Sequence, residues 1–457
     1  MLLAFGYFIR RYFFVEEKDM DFLTGNAKEL YRKYLVASLG SALVMSIYSF
    51  VDTIAVGQSE GPAGSSAMAV ITPLYGIIVF LAILCGIGGS VLMSNARGEG
   101  NEEKGNAYFT ASMLLMGLLT VTAWIAFGVF HKEIFTFFGA DAEIMPKVME
   151  YAKWIIWFFP VFIAPTFVSS FIRNDGAPGL ATAAVMIGGC VNIFGDWFLV
   201  FPLGMGMKGA AIATVIGTSL QVLIMCSHFF SKKCHLKFVR PLDMRHSIRN
   251  ILTIGFGASV LEVGAVAIAI MMNNQVMHYG GLAELAVYGV IASVGSLFQA
   301  LFEGVGQAIQ PLVSANHGAG NVDRTQRFWK MSFVTVLILG ALFTCLGELF
   351  PVQLVRLFVD ATPEVITAAP TIIRPFYILY LFLGPTVLST YYLQSTMHDK
   401  ISMLIAVLRG LVVDGLLIFL LPVFLGVNGV WLALPCSELI VAGIALLFIQ
   451  RKTFANS

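Results

Sequence analysis

Charged residues are scarce in this 457-residue sequence: Asp, Glu, Lys and Arg together make up 12% of it, about half the share that is usual in a soluble protein. The formal net charge is +1, so no acidic or basic excess indicates nucleic acid as a partner. The apolar set AVILMFWYC accounts for 58% of the residues. Because so few charges could not cover so much apolar surface in water, the composition excludes a soluble, disordered or fibrous protein and predicts a polytopic membrane protein.

Motifs of metal and catalytic sites are also missing. The six cysteines form no CxxC pair and show no metal-ligand spacing, and the seven histidines all fall in loops or at the ends of apolar segments. The sequence has no HExxH motif, no paired His–Asp cluster and no GxSxG motif in a suitable context. These absences argue against a membrane-embedded enzyme, and we expect no resident cofactor.

Long uncharged runs are what the sequence has instead. Several runs of 19 or more residues contain no Asp, Glu, Lys or Arg, the longest being 61–96. A helix needs about 20 apolar residues to cross a bilayer, and the runs lack the alternation of barrel strands. The sequence therefore predicts an all-α polytopic membrane protein with twelve transmembrane helices. We place the spans at 34–57, 68–94, 107–130, 151–172, 180–201, 205–230, 250–277, 285–315, 331–350, 372–395, 402–424 and 427–449.

The Lys and Arg residues between the spans predict the orientation. Twenty-one of them lie before the first span, in the even-numbered loops and after the last span, against five in the odd-numbered loops and at the span ends next to them. Since cytoplasmic loops carry the excess of Lys and Arg, both termini should be cytoplasmic, in a cell (inner or plasma) membrane. The stretch 1–19 lacks the pattern of a secretory signal, and we expect it to be dispensable.

The sequence repeats itself at a shift of 220 residues. The shift superimposes glycines, prolines and an asparagine of the two halves, among them Gly98 on Gly318, Asn101 on Asn321 and Pro165 on Pro385. Each half holds six spans, and an even number returns the chain to the side from which it started. The halves are therefore predicted to form two six-helix lobes, related by a pseudo-two-fold axis along the membrane normal.

This repeat divides the chain into five parts. They are a cytoplasmic segment 1–33, an N-lobe 34–230, a basic cytoplasmic linker 231–249, a C-lobe 250–450 and a cytoplasmic tail 451–457.

Polar residues within the N-lobe spans form one candidate site. A charge at bilayer depth costs roughly 2.5–3.5 kcal/mol, so we expect Asp52 and Asp196 to have a functional or structural role. Asn192 precedes Asp196 by one helical turn and shares its face, and Thr214 follows in the next span. These side chains offer hard oxygen ligands to a small cation, or an acid that can be protonated. Two other interpretations stay open, Asp52 as an interfacial helix cap and the Asn192–Asp196 pair as a contact between helices.

The C-lobe has secondary candidates. Glu262 lies in an otherwise uncharged span, where it could act in transport or form a structural salt bridge. Asp414 follows Arg409 in one span, so a structural ion pair and a role in coupling are both open. Glu303 in the eighth span is equally ambiguous. The two lobes are therefore chemically unequal, and the N-lobe holds the better-formed polar site.

Five segments together resemble a known family. They are IYSFVDTIAVGQ at 47–58, GGSVLMSNARGEGN at 88–101, the long stretch from FIRNDGAPG to MKGAAIAT at 171–214, IQPLVSANHGAGN at 309–321 and GVNGVWLALP at 426–435. The set resembles the multidrug and toxic compound extrusion (MATE) family over nearly the whole chain. The resemblance implies a secondary active antiporter, not an enzyme, that exports amphipathic and often cationic small molecules in exchange for H+ or Na+. It also implies rocking alternating access in the lipid bilayer, and we expect a monomer.

The resemblance assigns roles to residues. Its N-lobe coupling site corresponds here to Asp52, Asn192, Asp196 and Thr214, which would also be the ligands of a Na+ ion. Other members use a seventh-span Glu, here Glu262, with a tenth-span acid, but 371–395 contains no acid. This departure favours the branch with an N-lobe coupling site. We expect H+ as the coupling ion, because a carboxyl group in a low-dielectric cleft is easily protonated, and Na+ stays open.

One alternative function comes from the same superfamily. A flippase for lipid-linked oligosaccharides would need several cationic side chains in its cleft to hold a pyrophosphate. Arg409 is the only Lys or Arg that lies deep within a predicted span rather than near its end, so we expect the antiporter instead.

Overall fold

A computed structural model describes residues 22–240, 243–358 and 363–454. Every regular element in these ranges is helical, which confirms the predicted all-α class. The first seven helices are α1 (Ala27–Gly98), α2 (Glu102–Val129), α3 (His131–Phe137), α4 (Met145–Trp157), α5 (Phe159–Asn174), α6 (Pro178–Val200) and α7 (Gly206–Cys226), and a 3-10 turn follows at Ser227–Phe230.

The remaining helices begin after the segment 231–243. They are α8 (Met244–Tyr279), α9 (Leu282–Gly318), α10 (Val322–Leu349), α11 (Pro351–Phe358), α12 (Pro363–Tyr377), α13 (Leu379–Ser395), α14 (Asp399–Val407), α15 (Val413–Leu425) and α16 (Val427–Phe454). A short π-helix, Leu408–Val412, joins α14 to α15.

The described residues belong to two compact units. Unit 1 contains the described part of Met1–Gly255 together with Ser314–Gly320, and unit 2 contains Phe256–Val313 with the described part of Asn321–Ser457. The unit boundaries fall within helices, because α8 and α9 each contribute residues to both units.

The membrane spans agree with the sequence-based expectation. Within the described ranges, ten helical stretches are long and apolar enough to cross a membrane, and the pair α4–α5, bent by 58°, makes an eleventh if it is counted as one span. These stretches coincide with eleven of the twelve predicted spans. The remaining predicted span, 34–57, is the first part of α1.

Helix α1 is too long to be one straight rod. Its 72 residues would extend about 108 Å, against about 30 Å for the hydrocarbon core of a bilayer. A Cβ atom placed on Gly64 would lie 3.1 Å from the carbonyl oxygen of Val56, although eight residues of a straight helix rise about 12 Å. The helix axis therefore bends sharply between Val56 and Gly64, and α1 has room for both predicted spans, 34–57 and 68–94.

Local sequence explains where several helices begin. The side chain of Asn26 caps α1 and that of Asn101 caps α2, each accepting a hydrogen bond from a backbone N–H of the first turn. Prolines stand in the first turns of α4, α5 and α6, where a missing N–H costs nothing. Pro160 at the start of α5 also lies at the 58° bend between α4 and α5, because proline interrupts the hydrogen bonding of a continuous helix.

Helices α6 and α7 meet backbone to backbone. A Cβ atom on Gly188 would lie 2.6 Å from the carbonyl oxygen of Gly217, and one on Gly217 would lie 2.7 Å from that of Gly188. Only glycine permits so close an approach. The contact brings Asn192 on α6 within reach of Thr214 on α7, which sets the geometry of the candidate site.

Candidate functional site

Four helices of unit 1 bring polar side chains into one buried cluster. The Tyr151 hydroxyl on α4 donates to Asp52 Oδ2 on α1 across 3.0 Å and lies 3.4 Å from Thr214 Oγ1 on α7. Asn192 on α6 donates from Nδ2 to Thr214 Oγ1 across 3.2 Å. Each of these side chains is at most 8% exposed. The structure thus joins Asp52, Asn192 and Thr214, which the sequence predicts as site residues, through a tyrosine that it does not predict.

The contacts of the cluster restrict which hydroxyl groups can donate and which can accept hydrogen bonds. Tyr151 has one hydroxyl proton, and it is donated to Asp52. The Tyr75 hydroxyl lies 3.2 Å from the Tyr151 hydroxyl, and while Tyr151 donates to Asp52 only Tyr75 can donate in that contact. Thr214 donates its own proton to the Ala210 carbonyl across 2.9 Å. Tyr151 and Thr214 therefore touch with no proton left to share while Asp52 is ionised.

Asp196 completes the cluster. It lies one turn after Asn192 on α6, its residue is 0% exposed, and it is close enough to Asp52 for the two carboxyl groups to interact electrostatically. Neither of its carboxyl oxygens has a hydrogen-bond partner among the described residues. A buried carboxylate with no partner is strongly unfavourable, so this group needs a proton, a cation or water.

The unsatisfied atoms of the cluster are all acceptors. Within the described ranges, Asp52 Oδ1, Asn192 Oδ1 and both carboxyl oxygens of Asp196 are buried without a hydrogen-bond partner. Buried oxygens without a donor attract a hydrogen-bond donor or a positive charge. The cluster is therefore suited to bind a proton or a small cation.

Sequence reasoning misses the two tyrosines of the cluster. Tyr151 is 0% exposed, at the start of the predicted fourth span, and Tyr75 is partly buried in the second span. A buried tyrosine hydroxyl usually finds a hydrogen-bond partner, which is the signal that could have drawn attention to Tyr151. Its partner on α1 lies 99 residues away in the sequence, so no local pattern identifies it.

Unit 2 contains a second group of buried charges. Arg409 Nε donates to Glu438 Oε1 across 2.6 Å, and the two side chains are 11% and 5% exposed. Asp414 instead accepts a hydrogen bond from Ser437. The sequence leaves an Arg409–Asp414 ion pair open, but the structure gives Arg409 a different partner, on α16, that sequence reasoning does not identify.

Carboxyl groups outnumber cations in this group. Glu303 accepts from Gln299 Nε2 across 3.0 Å, and Arg409 interacts at longer range with both Glu303 and Asp414. Glu438 Oε2 is buried without a hydrogen-bond partner in the described ranges. Three acids thus surround one guanidinium group, so the group also retains unsatisfied acceptor capacity.

The π-helix explains why Arg409 and Asp414 line one cavity. In a regular α-helix, residues five apart lie about 140° apart around the axis. The wider turn at Leu408–Val412 reduces that angle, and π-turns of this kind often occur at functional sites. Arg409, Asp414 and Glu438 line a cavity of about 340 Å³ in unit 2, beside the rings of Tyr288, Phe376 and Tyr380.

Glu262 remains unplaced as a site residue. Its backbone belongs to α8, but its side chain lies outside the part of the chain that the structure describes. The proposed contribution of Glu262 to coupling therefore stays a prediction from the sequence.

Solved structures share this fold. A structure described as the outward-facing conformation of a multidrug resistance MATE family transporter of the MOP superfamily superimposes with a TM-score of 0.89, at 20% identity, covering 96% of this chain and 98% of the other. A MOP superfamily transporter from Pyrococcus furiosus superimposes with a TM-score of 0.87, at 21% identity and the same coverage.

Relatives are similar in sequence over most of the chain. "Multidrug export protein MepA" of Staphylococcus aureus (strain NCTC 8325 / PS 47) is 24% identical over 418 residues, covering 89% of this chain and 90% of MepA. "Probable multidrug resistance protein YoeA" of Bacillus subtilis (strain 168) is 26% identical over 336 residues, covering 71% of this chain and 72% of YoeA.

The MatE family profile matches the chain twice. The matched stretches are 37–198 and 258–419, which together cover more than half of the sequence. They begin at a separation close to the 220-residue shift of the internal repeat. The members of this family are transporters and not enzymes. This chain belongs to the MatE family of multidrug and toxic compound extrusion transporters, as the sequence motifs predict.

Proposed function

We propose that this transporter is a secondary active antiporter that exports amphipathic, often cationic small molecules in exchange for inward H+. One observation supports the proposal above all: the cluster of Asp52, Asn192, Asp196 and Thr214 has four buried oxygens to which no described residue donates a hydrogen bond. The names of the relatives, multidrug export and multidrug resistance proteins, support the substrate class.

The two carboxyl groups of the cluster provide the coupling. When both are ionised they repel each other, and a bound proton or an organic cation relieves that repulsion. Proton and substrate therefore compete for one negatively charged site. A substrate cation binds the deprotonated cluster, and protonation from the outside releases it.

The protonation state of Asp52 determines whether Tyr151 can donate a hydrogen bond to Thr214. While Asp52 is ionised, Tyr151 donates to it. A protonated Asp52 can donate to the Tyr151 oxygen instead, which frees the tyrosine proton for Thr214 Oγ1 at 3.4 Å. Protonation of Asp52 thus creates a hydrogen bond between α4 and α7 that is absent in the ionised state.

This change of hydrogen bonding can favour one conformation over another. A ligand shifts a conformational equilibrium only by its differential affinity for the two states. Protons and substrate prefer different charge states of the cluster, so each stabilises a different state of an alternating-access cycle. Asp196, which has no hydrogen-bond partner among the described residues, is the group with most to gain from a proton.

The proposal extends to orientation and assembly. The distribution of Lys and Arg supports a protein of the cell membrane with both termini in the cytoplasm. We propose a monomer that acts with the lobes 34–230 and 250–450.

A flippase for pyrophosphate-linked sugars is disfavoured, because three acids surround Arg409 in unit 2 and would repel a pyrophosphate.

Transport in proteoliposomes tests the proposal. Purified protein is reconstituted, and efflux of a fluorescent organic cation is followed under an imposed pH gradient or an imposed Na+ gradient. Efflux driven by the pH gradient, and lost in Asp196→Asn but not in the exposed control Asp323→Asn, is the expected result. Efflux driven by Na+ alone would replace H+ by Na+ as the coupling ion.

Substrate binding to purified protein gives an independent test. Affinity for the organic cation should fall as the pH is lowered between about pH 9 and pH 5, because protonation neutralises the carboxyl groups that hold the cation. Na+ should have little effect. Affinity that responds to neither pH nor Na+ would exclude coupling through this cluster.

A further inference from the structure

A group of side chains with metal-binding chemistry lies in unit 1, apart from the polar cluster. Asp175 directly follows α5, His228 lies in the 3-10 turn after α7, and Cys234 lies in the segment that follows. A carboxylate oxygen, an imidazole nitrogen and the thiol sulfur lie within 4.8 Å of one another. The Asp175 and His228 side chains are 0% and 3% exposed, and Cys234 is half-buried.

The carboxylate of Asp175 is the centre of this group. It accepts from Arg97 Nη1 at 2.6 Å through Oδ1, and through Oδ2 it contacts His228 Nε2 at 2.7 Å. The backbone N–H of His235 also donates to Oδ2 across 3.0 Å. Arg97 donates from Nη2 to the His235 carbonyl across 3.0 Å. The segment after the 3-10 turn is thus held against α1 and α5.

We propose that Asp175, His228 and Cys234 form a binding site for a zinc-class divalent cation. Zinc takes Cys sulfur, His nitrogen and carboxylate oxygen as ligands in a tetrahedron, and this mixed set suits zinc or cobalt better than magnesium or calcium. Tetrahedral ligands at metal distances of about 2.0–2.3 Å lie roughly 3.3–3.8 Å apart. The separations of up to 4.8 Å therefore need only small side-chain movements.

His235 can provide a fourth ligand. Nδ1 of His235 lies 3.8 Å from Asp175 Oδ1, and its side chain is 66% exposed and free to turn towards the ion. A water molecule is the alternative fourth ligand, since the same face is open to solvent.

Arg97 places a positive charge next to the proposed site. The Arg97 guanidinium contacts Oδ1 of Asp175. Oδ2 keeps its hydrogen bond from the His235 N–H and binds the ion in place of its contact with His228 Nε2. The Glu102 carboxylate lies 3.4 Å from Arg97 Nε and partly neutralises the positive charge of the guanidinium. In the proposed site, Arg97 orients the carboxylate from outside the coordination sphere, as residues behind metal ligands commonly do.

Binding exchanges protons for the metal. The Cys234 thiol gives up its proton to solvent when the sulfur binds the ion, because the thiolate is the form that ligates a metal. In its hydrogen bond to Asp175, His228 carries a proton on Nε2, because a carboxylate only accepts. When Nε2 binds the ion, this proton leaves to solvent and Nδ1 takes one up, so the imidazole binds as the neutral tautomer. The hydrogen bond between His228 and Asp175 is replaced by two bonds to the metal. The ion then fixes the residues after His228 to the end of α5.

Zinc binding to the intact protein tests the site. Tag-free, full-length protein in detergent is stripped with a chelator and titrated with Zn2+, and bound metal is counted. We expect one ion per chain in the wild type, and affinity weakened by at least about tenfold in Cys234→Ser and His228→Gln. The control Cys345→Ser, an exposed cysteine on α10, should bind as the wild type does.

Cobalt gives a readout of the thiolate itself. Co2+ bound to Cys234 should produce a thiolate-to-cobalt charge-transfer absorption that is lost in Cys234→Ser and kept in Cys345→Ser. Cys234 decides the question even if His228→Gln fails to fold, because the thiol makes only a weak contact, at 3.8 Å, to the Leu236 carbonyl. Wild-type protein that binds no more Zn2+ than Cys234→Ser, or that lacks the cobalt band, would overturn the site.

Discussion

Gly98 and Gly318 lie against each other's helices in a reciprocal contact within unit 1. A Cβ atom on Gly98, at the end of α1, would clash with the carbonyl oxygen of Ala315, and one on Gly318, at the end of α9, would clash with that of Asn95. The 220-residue shift relates Gly98 to Gly318 and Asn95 to Ala315. The repeated sequence thus supplies both sides of one helix crossing.

The close contact at Gly98 predicts how an added methyl group there changes the stability of the protein. Gly98→Ala should destabilise the folded protein by about 1–3 kcal/mol, because the added carbon meets backbone that cannot move aside cheaply. Thermal unfolding of the detergent-purified protein measures the change. The matched control is Gly117→Ala, since a Cβ atom there has nothing within 4 Å. Equal unfolding temperatures for the two variants would contradict the close contact.

Asp196→Asn should abolish efflux while the folded protein stays in the membrane. The substitution keeps the shape of the side chain and removes the carboxyl group of the polar cluster that accepts no hydrogen bond from the described residues. Glu262→Gln should weaken transport less, because the tenth span has no acid to act with it. Drug resistance of cells at equal expression measures both. A complete loss at Glu262 with a mild effect at Asp196 would place coupling in the other lobe.

Tyr151→Phe should change the pH dependence of substrate binding. The variant loses the hydrogen bond that stabilises ionised Asp52, so the pH at which affinity falls to half should move upward. Binding of an organic cation across a pH series measures the shift. Tyr392→Phe, another buried tyrosine whose ring packs on Trp329, serves as the control. An unchanged profile in Tyr151→Phe would remove Tyr151 from the coupling mechanism.

Arg409→Met should destabilise unit 2 strongly. The Arg409–Glu438 pair is buried, and removing one partner of a buried pair costs about 3–5 kcal/mol because the other charge is left uncompensated. The double variant Arg409→Met/Glu438→Gln should regain part of that loss. Lys104→Met, which breaks an exposed ion pair with Glu99, should cost less than about 1 kcal/mol. Unfolding temperatures of the three variants test this order.

Much of the fold is readable from sequence because membrane insertion is a local property. About 20 apolar residues suffice to span a bilayer wherever they occur, and eleven predicted spans coincide with helical stretches of the structure. The candidate residues Asp52, Asn192, Asp196 and Thr214 are detectable for a similar reason. A charge or amide within a span is costly on its own, before anything is known about its neighbours.

The sequence does not predict which polar side chains pair with each other. Tyr151 donates a hydrogen bond to Asp52, 99 residues away in the sequence. Arg409 pairs with Glu438 on α16 and not with Asp414 in its own span. The π-helix at Leu408–Val412 allows Arg409 and Asp414 to line the same cavity. The cysteine and histidine spacings predict no metal site, yet folding brings Asp175, His228 and Cys234 together. The sequence by itself determined the family, the class of fold and the polar residues that need a partner. Only the tertiary structure decided which groups pair and which acceptors stay unsatisfied, because those outcomes depend on distances between helices far apart in the chain.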